Sequence, residues 1–334
     1  PPGIYSVRCS FIGYQTVIKQ NIRVSVDLTT DVSYTLAPES IEGEEVIITA
    51  ERPLIERNST NETAIMTADQ IENMPLRSLA GAVATNTGVV SAKGDMYVRG
   101  GRTNEVAYYV DGVYSNNLRT GERVGSVPIT SLEQINYQAG GFSAEYGMAN
   151  SGVVVASSKA GAKDFNFGVE VITDEFLSEN DDFLNTYSYG YNVYNLTASG
   201  PLFSDKLSFF VSGEYNYEQD RNPTSSTHPV VDGAYTYDQI TAPRSFLADS
   251  TDIAPEDYIL PINNVGGPLP NNWLKQWAFN GNIQWNPNSD LRVKVGGNGT
   301  VNDFRSYSQF RSMLNGDNVA AQESYNYSVY GKLT

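Results

Sequence analysis

The second half of the chain alternates apolar and polar residues with a period of two, which predicts β-strands with two different faces. Six segments show this pattern. They are Phe165–Val171, Tyr194–Ala198, Leu207–Asn216, Trp277–Trp285, Leu291–Val295 and Tyr325–Thr334. A soluble β-sandwich would give a similar alternation, so the pattern alone leaves two architectures open.

Two further features favour a transmembrane barrel over a sandwich. The connections alternate strictly between short and long, as periplasmic turns and extracellular loops do. The short ones are 200–206 and 286–290, and the long ones are 174–189, 218–276 and 302–324. Aromatic residues also lie near the ends of the apolar face, where a barrel meets the two membrane interfaces. They are Trp277, Trp285, Tyr325 and Tyr327.

The first half of the chain mixes short strands with two helices. Three short strands are predicted near the start, at Tyr5–Phe11, Asn21–Val26 and Val32–Leu36. Thr67 and Gln70 have the spacing of a capping box, so a helix should begin there and end before Pro75. A second helix is predicted over Ser78–Ala84.

Composition excludes several classes of protein. The 334 residues carry a net charge of −16, which argues against nucleic-acid binding. The 22 Tyr and 13 Phe are untypical of a disordered chain. Cys9 is the single cysteine, so we expect no disulfide and interpret it as a buried core thiol. No apolar run approaches the roughly 20 residues of a membrane helix.

The sequence shows no recognisable catalytic or metal-binding arrangement. His228 is the only histidine, which excludes a histidine-pair zinc site. The acids Glu218 and Asp220, and the acidic run from Asp174 to Asp182, are interpreted as solvated loop residues rather than as a glycosidase pair or a calcium site. We therefore predict no enzymatic activity, no cofactor and no metal.

Five motifs between residues 94 and 161 occur in the order found in one known family. A strand ends in Arg-Gly, another ends in Asp-Gly, a Pro-led helix within Val127–Ile135 runs into a strand, and a Tyr-Gly precedes a glycine-flanked valine strand. This order resembles the plug domain of TonB-dependent outer-membrane transporters. The residues matching the plug motifs are Arg99, Gly100, Asp111, Gly112, Tyr146, Gly147 and Gly152.

The resemblance implies a role for the β-branched segment before the plug. Glu45, Val46, Ile47, Ile48, Thr49 and Ala50 resemble the TonB box, a peptide that adds a strand to the periplasmic protein TonB. Two alternatives stay open, a last strand of the preceding domain and a linker strand on the plug. Before it, Gly13-Tyr14-Gln15-Thr16 resembles the hairpin of carboxypeptidase-regulatory-like domains of the Bacteroidetes type, in Oar-like proteins.

The predicted fold is mainly β, in four parts. Part of a carboxypeptidase-regulatory-like β-sandwich over 1–38 precedes a linker with the TonB-box-like strand over 39–60. An α+β plug domain over 61–162 is followed by the first strands of a transmembrane barrel over 163–334. Plugged transporters have about 22 strands, so we expect the chain to be a fragment of a larger protein.

The resemblance implies TonB-dependent import across the outer membrane of a Gram-negative bacterium, with the plug and N-terminal domain facing the periplasm. Its partners would be TonB with ExbB and ExbD, outer-membrane lipids, an unknown extracellular substrate and, in one variant, a surface lipoprotein. Two alternatives are a non-transporting subunit of an outer-membrane complex and a SusC-like glycan or peptide importer. Glu51-Arg52-Pro53-Leu54 replaces the SusC-like Tyr-Gly-Thr-Gln run, which favours a transporter without a lipoprotein lid.

Arg99 has the most specific predicted role among the plug residues. In the family, the matching arginine faces the barrel wall and pairs with acids there. We hypothesise that Arg99 docks the plug onto Glu170 and Glu214, which lie on the polar faces of predicted strands. A guanidinium holds two carboxylates in fixed geometry, which a lysine cannot do.

Overall fold

The computed structural model describes residues 3–24, 30–38, 46–49, 63–92, 94–175, 188, 190–219, 227–231, 262–266, 271–288, 291–305 and 320–334. The fold is mainly β, with two short α-helices among eighteen strands in these ranges. None of the described helices is long and apolar enough to cross a membrane. The chain divides into two compact units. One comprises Pro1–Arg123 and Leu132–Ser158, and the other Val124–Ser131 and Lys159–Thr334.

A three-stranded sheet forms the N-terminal part of the first unit. Strand β1 (Gly3–Cys9) pairs antiparallel with β2 (Val17–Val24), and β3 (Val46–Thr49) pairs parallel with the other edge of β2. Residues 30–38 run beside this sheet, and the Tyr34 hydroxyl donates to the Val7 carbonyl at 2.9 Å.

Two predictions for this region are wrong. Val32–Leu36 forms no strand, and Tyr34 meets β1 through its side-chain hydroxyl instead. Cys9 is half-exposed rather than buried, since it ends β1 just before the turn at Ile12 and Gly13.

A five-stranded mixed sheet forms the rest of the first unit. Its strands are β4 (Thr63–Thr67), β7 (Val106–Val110), β8 (Val113–Tyr114), β9 (Leu132–Gln138) and β10 (Gly152–Ser158), in the order β4-β9-β10-β7-β8. The central strand β10 runs antiparallel to β9 and parallel to β7. Every residue of β10 is buried, as its apolar sequence Val153–Ala156 requires. A separate hairpin joins β5 (Val89–Ala92) and β6 (Asp95–Val98).

Two helices follow β4, as predicted. Helix α1 (Ala68–Glu72) begins with the predicted capping box, in which the Thr67 N–H donates to Gln70 Oε1 at 3.1 Å. It ends at Asn73, before Pro75. Helix α2 (Leu79–Val83) is capped by Ser78, whose Oγ accepts from the Gly81 N–H at 3.0 Å. Both helix predictions are confirmed.

A six-stranded antiparallel sheet dominates the second unit, with its strands in chain order. They are β11 (Asn166–Thr173), β12 (Tyr191–Leu202), β13 (Ser204–Glu218), β16 (Leu274–Trp285), β17 (Val293–Arg305) and β18 (Ala321–Leu333). All six predicted strands are confirmed. The long connection between β13 and β16 contains a hairpin that was not predicted, formed by β14 (Thr227–Val231) and β15 (Ile262–Gly266). His228 lies in β14, opposite Val265.

Candidate functional site

The six-stranded sheet exposes its apolar face and buries its polar face. Phe167 is 77% exposed and Val329 is 75% exposed, whereas Asn280 and Asn282 are each 3% exposed. A water-soluble sheet would do the opposite, because burying apolar area is the main driving force of folding in water. This reversal is the arrangement of a membrane barrel wall, with lipid outside and a polar interior.

Aromatic side chains form a row across the exposed face near the long connections. Tyr194 lies opposite Tyr215, Tyr215 opposite Trp277, and the row continues through β17 to Tyr325. The ring centroids of Tyr215 and Trp277 are 4.5 Å apart. Trp285 lies eight residues further along β16, a rise of about 27 Å. Because barrel strands tilt by about 35–45°, this rise spans about 19–22 Å along the barrel axis, close to the apolar band of about 25 Å, so the aromatic residues mark its two borders.

The opposite face carries hydroxyl, amide and carboxylate side chains in rows across the strands. One row has only small polar members, which face one another across β12, β13, β16, β17 and β18. They are Thr197, Ser212, Asn280, Asn298 and Ser328. The two predicted docking acids belong to the next row, where Glu170 accepts from Asn195 Nδ2 at 3.1 Å and Glu214 is buried. The predicted polar face of the sheet is thus confirmed.

The Arg99–Gly100 motif forms a tight turn after β6. Both residues have left-handed backbones, with φ of 50° and 78°, and the Arg99 N–H donates to the Gly88 carbonyl at 2.8 Å. The next residue, Gly101, passes so close to Ser151 that an added Cβ would lie 2.5 Å from the Ser151 Cβ. Glycine at position 101 therefore permits the backbone to lie close to Ser151. The Arg99 side chain is exposed, and its docking onto Glu170 and Glu214 stays a prediction.

The Asp111–Gly112 motif closes the hairpin between β7 and β8. Its φ values of 50° and 88° are those of a type I′ turn, the turn that matches the twist of two paired strands. Asp111 also joins the turn to β10, because its N–H donates to the Ala156 carbonyl at 2.9 Å and its Oδ1 accepts from the Ser158 N–H at 3.0 Å. The motif supports the sheet.

Tyr146 and Gly147 pack onto the same sheet from the loop between β9 and β10. The Tyr146 ring meets the Tyr109 ring edge-on with centroids 5.4 Å apart, and the Tyr109 hydroxyl donates to the Gly147 carbonyl at 3.4 Å. Gly152 begins β10, where an added Cβ would lie 3.2 Å from Val98 Cγ1. These motif residues hold the loop and the β5–β6 hairpin against the sheet.

Sequence reasoning missed Asn116, which connects the edge of the sheet to the following loop. Its buried side chain accepts from the Tyr108 N–H at 2.8 Å and donates to the carbonyls of Val106 and Gly121 at 2.7 and 2.8 Å. Burial raises the pKa of the neighbouring Tyr108 to about 12, partly offset by Arg123, whose guanidinium carbon lies 5.7 Å from the ring centroid. The Asn116-Asn117 pair signals a turn, but not these long-range bonds.

The segment resembling the TonB box is an ordered strand at its centre. Val46–Thr49 forms β3, with Val46 opposite Val17 and Ile48 opposite Lys19. Glu45 and Ala50, the ends of the predicted box, lie outside the described residues. The pairing matches the alternative of a last strand in the N-terminal sheet, and binding of TonB stays a prediction.

The acidic run after β11 is described only at its start. The Asp174 Oδ1 accepts from the Tyr191 N–H at 2.7 Å, and Glu175 Oε1 accepts from Asn192 Nδ2 at 2.6 Å. These two acids close the end of the β11–β12 ladder rather than lying free in a loop. The remaining acids of the run, and Asp220, lie outside the described residues.

Comparison with known proteins identifies the central part of the chain. The family model of the TonB-dependent Receptor Plug Domain matches residues 56–154. The chain is 24% identical over 230 residues to the TonB-dependent transporter Oar of Myxococcus xanthus, covering 63% of this chain and 22% of that protein. It is 30% identical over 138 residues to the vitamin B12 transporter BtuB of Vibrio vulnificus (strain CMCP6), covering 38% of this chain and 22% of that protein.

A solved structure shares the fold of most of the chain. The ferripyoverdine receptor of the outer membrane of Pseudomonas aeruginosa matches 84% of this chain and 32% of its own length, with a TM-score of 0.54 and 16% identity. The chain spans 22% of the length of each curated relative. The carboxypeptidase-like character of the N-terminal sheet stays a prediction. The chain thus contains a TonB-dependent receptor plug domain at residues 56–154, followed by strands that share the fold of a receptor barrel.

Proposed function

We propose that this protein imports a substrate across the outer membrane of a Gram-negative bacterium, using energy delivered by TonB, and that it catalyses no reaction. One observation carries the proposal. A plug domain leads directly into a sheet that exposes its apolar face and buries its polar face. A channel that is closed by its own plug needs both parts, because the polar interior passes polar solutes and the plug prevents leakage.

The proposed orientation follows the lengths of the connections. The turn between β12 and β13 centres on Phe203, which is fully exposed, and faces the periplasm together with the plug and the N-terminal sheet. The long connections, including the β14–β15 hairpin, face outward and bind the substrate. The segment Glu45–Ala50 then binds TonB, which acts with ExbB and ExbD.

Strand pairing explains how a segment as short as Glu45–Ala50 could transmit a pulling force from TonB. Backbone hydrogen bonds supply the affinity when a peptide adds to the edge of a sheet, so the side chains need little specificity. In this structure Val46–Thr49 already pairs with β2 along four residues. TonB would capture a segment that is already extended, which lowers the entropy cost of binding.

The test compares Ile48→Pro with Ile48→Val in the full-length protein. Proline removes a backbone N–H from the strand, whereas valine keeps it. Culture medium is analysed for compounds that cells with the wild-type protein remove. Cells with Ile48→Pro should deplete these compounds at least tenfold more slowly, and cells with Ile48→Val at the wild-type rate.

A cysteine at Val46, in a Cys9→Ser background, should also form a disulfide in living cells with a cysteine introduced into the strand-pairing part of TonB. Equal depletion by the proline variant, together with no link to TonB, would refute TonB-dependent import. It would favour the non-transporting alternative. A lipoprotein that copurifies with the receptor would instead indicate the SusC-like variant of import.

A further inference from the structure

One piece of the plug sequence belongs to the unit of the six-stranded sheet. Val124–Ser131 lies within the plug-domain match, yet it groups with Lys159–Thr334 and not with the plug strands on either side of it. Its sequence neighbours Arg123 and Leu132 belong to the other unit. The chain therefore passes from the plug unit to the sheet and back within ten residues.

A single hydroxyl fixes this segment to β17. The Ser126 N–H donates to Thr300 Oγ1 at 2.7 Å, and the same oxygen donates to the Ser126 carbonyl at 2.8 Å. A threonine hydroxyl can accept and donate at once, so it satisfies both backbone groups of Ser126. Thr300 is 2% exposed, on the polar face of the sheet. Gly125 has φ of +74°, and an added Cβ would lie 3.2 Å from Thr300 Oγ1, so glycine permits this close approach.

The end of the segment is held as well. Its 3₁₀ turn Ile129–Ser131 lies against β12 and β13. The Ser131 carbonyl accepts from the Lys159 N–H at 2.8 Å, and the Lys159 carbonyl accepts from Asn282 Nδ2 at 2.9 Å. Ser131 leads directly into β9, and Lys159 directly follows β10. The two central plug strands thus end in backbone that the sheet holds.

This attachment determines how a pull from the N-terminal side is resisted. Such a pull enters the plug sheet at Thr63 of β4, which lies opposite Gln138 of β9. The held end of β9 is Leu132, at the other end of the same ladder. Tension between opposite ends of an antiparallel ladder slides the strands past each other. It therefore loads all the backbone hydrogen bonds together instead of opening them one by one.

We infer that Thr300 is a positioning residue that keeps Val124–Ser131 on the barrel wall while β4 and the helices are pulled away. Displacement of the plug should then stop at Arg123, and β9 and β10 should remain. The inference rests on the proposed function, in which TonB pulls on the segment before β4.

The test is single-molecule force spectroscopy of the full-length receptor in a lipid bilayer, pulled through an N-terminal handle. In the wild type, release should end after about 60 residues beyond Thr63, which corresponds to about 200 Å of extended chain. Thr300→Val keeps the shape but loses both hydrogen bonds. Release should then continue through β10, to about 100 residues and about 350 Å. Thr300→Ser keeps the hydroxyl and should behave as the wild type. Heat-modifiable migration on gels confirms that each variant has a folded barrel.

A disulfide provides the matched control. A Cβ added at Gly125 would lie 3.6 Å from the Asn326 Cβ, within the usual range of about 3.5–4.5 Å for a disulfide. Gly125→Cys with Asn326→Cys, in a Cys9→Ser background, should stop the release at the shorter length when oxidised. Because Gly125 has a left-handed backbone, the oxidised form is compared with the reduced form of the same variant, which carries the same strain. Adding Thr300→Val should change nothing until the disulfide is reduced.

Two results would overturn the inference. One is a wild-type protein that releases the plug through β10 in a single step. The other is a Thr300→Val variant that stops where the wild type stops. Neither measurement uses TonB or a substrate. Failure here would therefore leave import standing if Ile48→Pro still abolishes depletion of the medium, and failure of import would leave the mechanical result standing.

Discussion

The plug sheet and the six-stranded sheet differ in which side chains they bury. In the plug sheet, Val153, Val154 and Ile135 are fully buried, and Asn116 completes the hydrogen bonding of an edge. In the six-stranded sheet, Phe167 and Val329 are exposed while Asn280 and Asn282 are buried. The central plug strand β10 is a continuous apolar run that is buried on both faces, whereas the strands of the six-stranded sheet alternate between two faces that meet different surroundings. A strand sequence therefore specifies its surroundings as much as its conformation.

The largest effect should come from a cavity in the plug core. Ile135→Ala removes a fully buried side chain from β9 and should destabilise the plug by about 2–5 kcal/mol. Hydrogen exchange of peptides from β9 and β10, measured in the intact receptor, would report this as faster opening. The barrel should keep its heat-modifiable migration, since its strands do not depend on that side chain. Unchanged exchange in β9 would mean that the plug lacks a tightly packed core.

A charge on the exposed face of the other sheet should have the next largest effect. Val211 lies midway along the apolar band, and Val211→Arg should cost about 2–4 kcal/mol in lipid vesicles. Leu333→Arg, in the row of Trp285 at the border of the band, should cost at most about 1 kcal/mol. Urea unfolding from vesicles measures both. Equal small costs would show that this face meets water, and would abolish the contrast between the sheets.

The polar support of the plug edge should have an intermediate effect. Asn116→Ala leaves three backbone groups without their side-chain partner, two of them in buried hydrogen bonds, which should cost about 1–3 kcal/mol. Asn117→Ala removes bonds at the exposed tip of the same loop and should cost less. Hydrogen exchange of β7 separates the two variants. A larger effect at Asn117 would place the stabilising contact in the loop rather than at the sheet.

Burial of Tyr108 should make plug stability depend on pH in the alkaline range. Its pKa of about 12 lies above the ordinary value of 10.0, because burial favours the neutral phenol. The unfolded chain therefore loses this proton first. Stability is fully present below pH 10 and falls by about 1.4 kcal/mol per pH unit between pH 10 and 12. Urea titrations at pH 9 and pH 11 measure the free energy of unfolding of the wild type and of Tyr108→Phe. Between these two pH values, this free energy should fall by about 1.4 kcal/mol more in the wild type than in Tyr108→Phe. The same pH dependence of the free energy of unfolding in both proteins would show that Tyr108 is hydrated.

The smallest effect on stability should come from Arg99, although its effect on leakage should be clear. Arg99→Ala removes an exposed side chain and should cost less than about 1 kcal/mol. If Arg99 docks the plug onto Glu170 and Glu214, the variant should admit antibiotics that are normally excluded by size. Arg99→Lys should restore the seal only partly. Unchanged antibiotic sensitivity in Arg99→Ala would refute the docking role.

The sequence predicted local structure well because each signal was contained in a short window. The six strands follow from period two, and α1 follows from Thr67, Gln70 and Pro75. Non-local contacts gave no such signal. Nothing in the sequence around Ser126 indicates a partner 174 residues away at Thr300. The prediction of a strand at Val32–Leu36 failed because this segment meets β1 through the Tyr34 side chain, a non-local contact that no short window contains.

The parallel pairing of β3 has a consequence for the order of events along the chain. Parallel neighbours cannot be joined by a tight turn, so residues 25–45 must close a wide loop before β3 can meet β2. The β1–β2 hairpin closes a much shorter loop and meets a smaller entropic barrier. Thus β3 should be the last strand of its sheet to arrive and the first to leave. Within this sheet, β3 is therefore the strand whose separation returns the most conformational freedom to the chain.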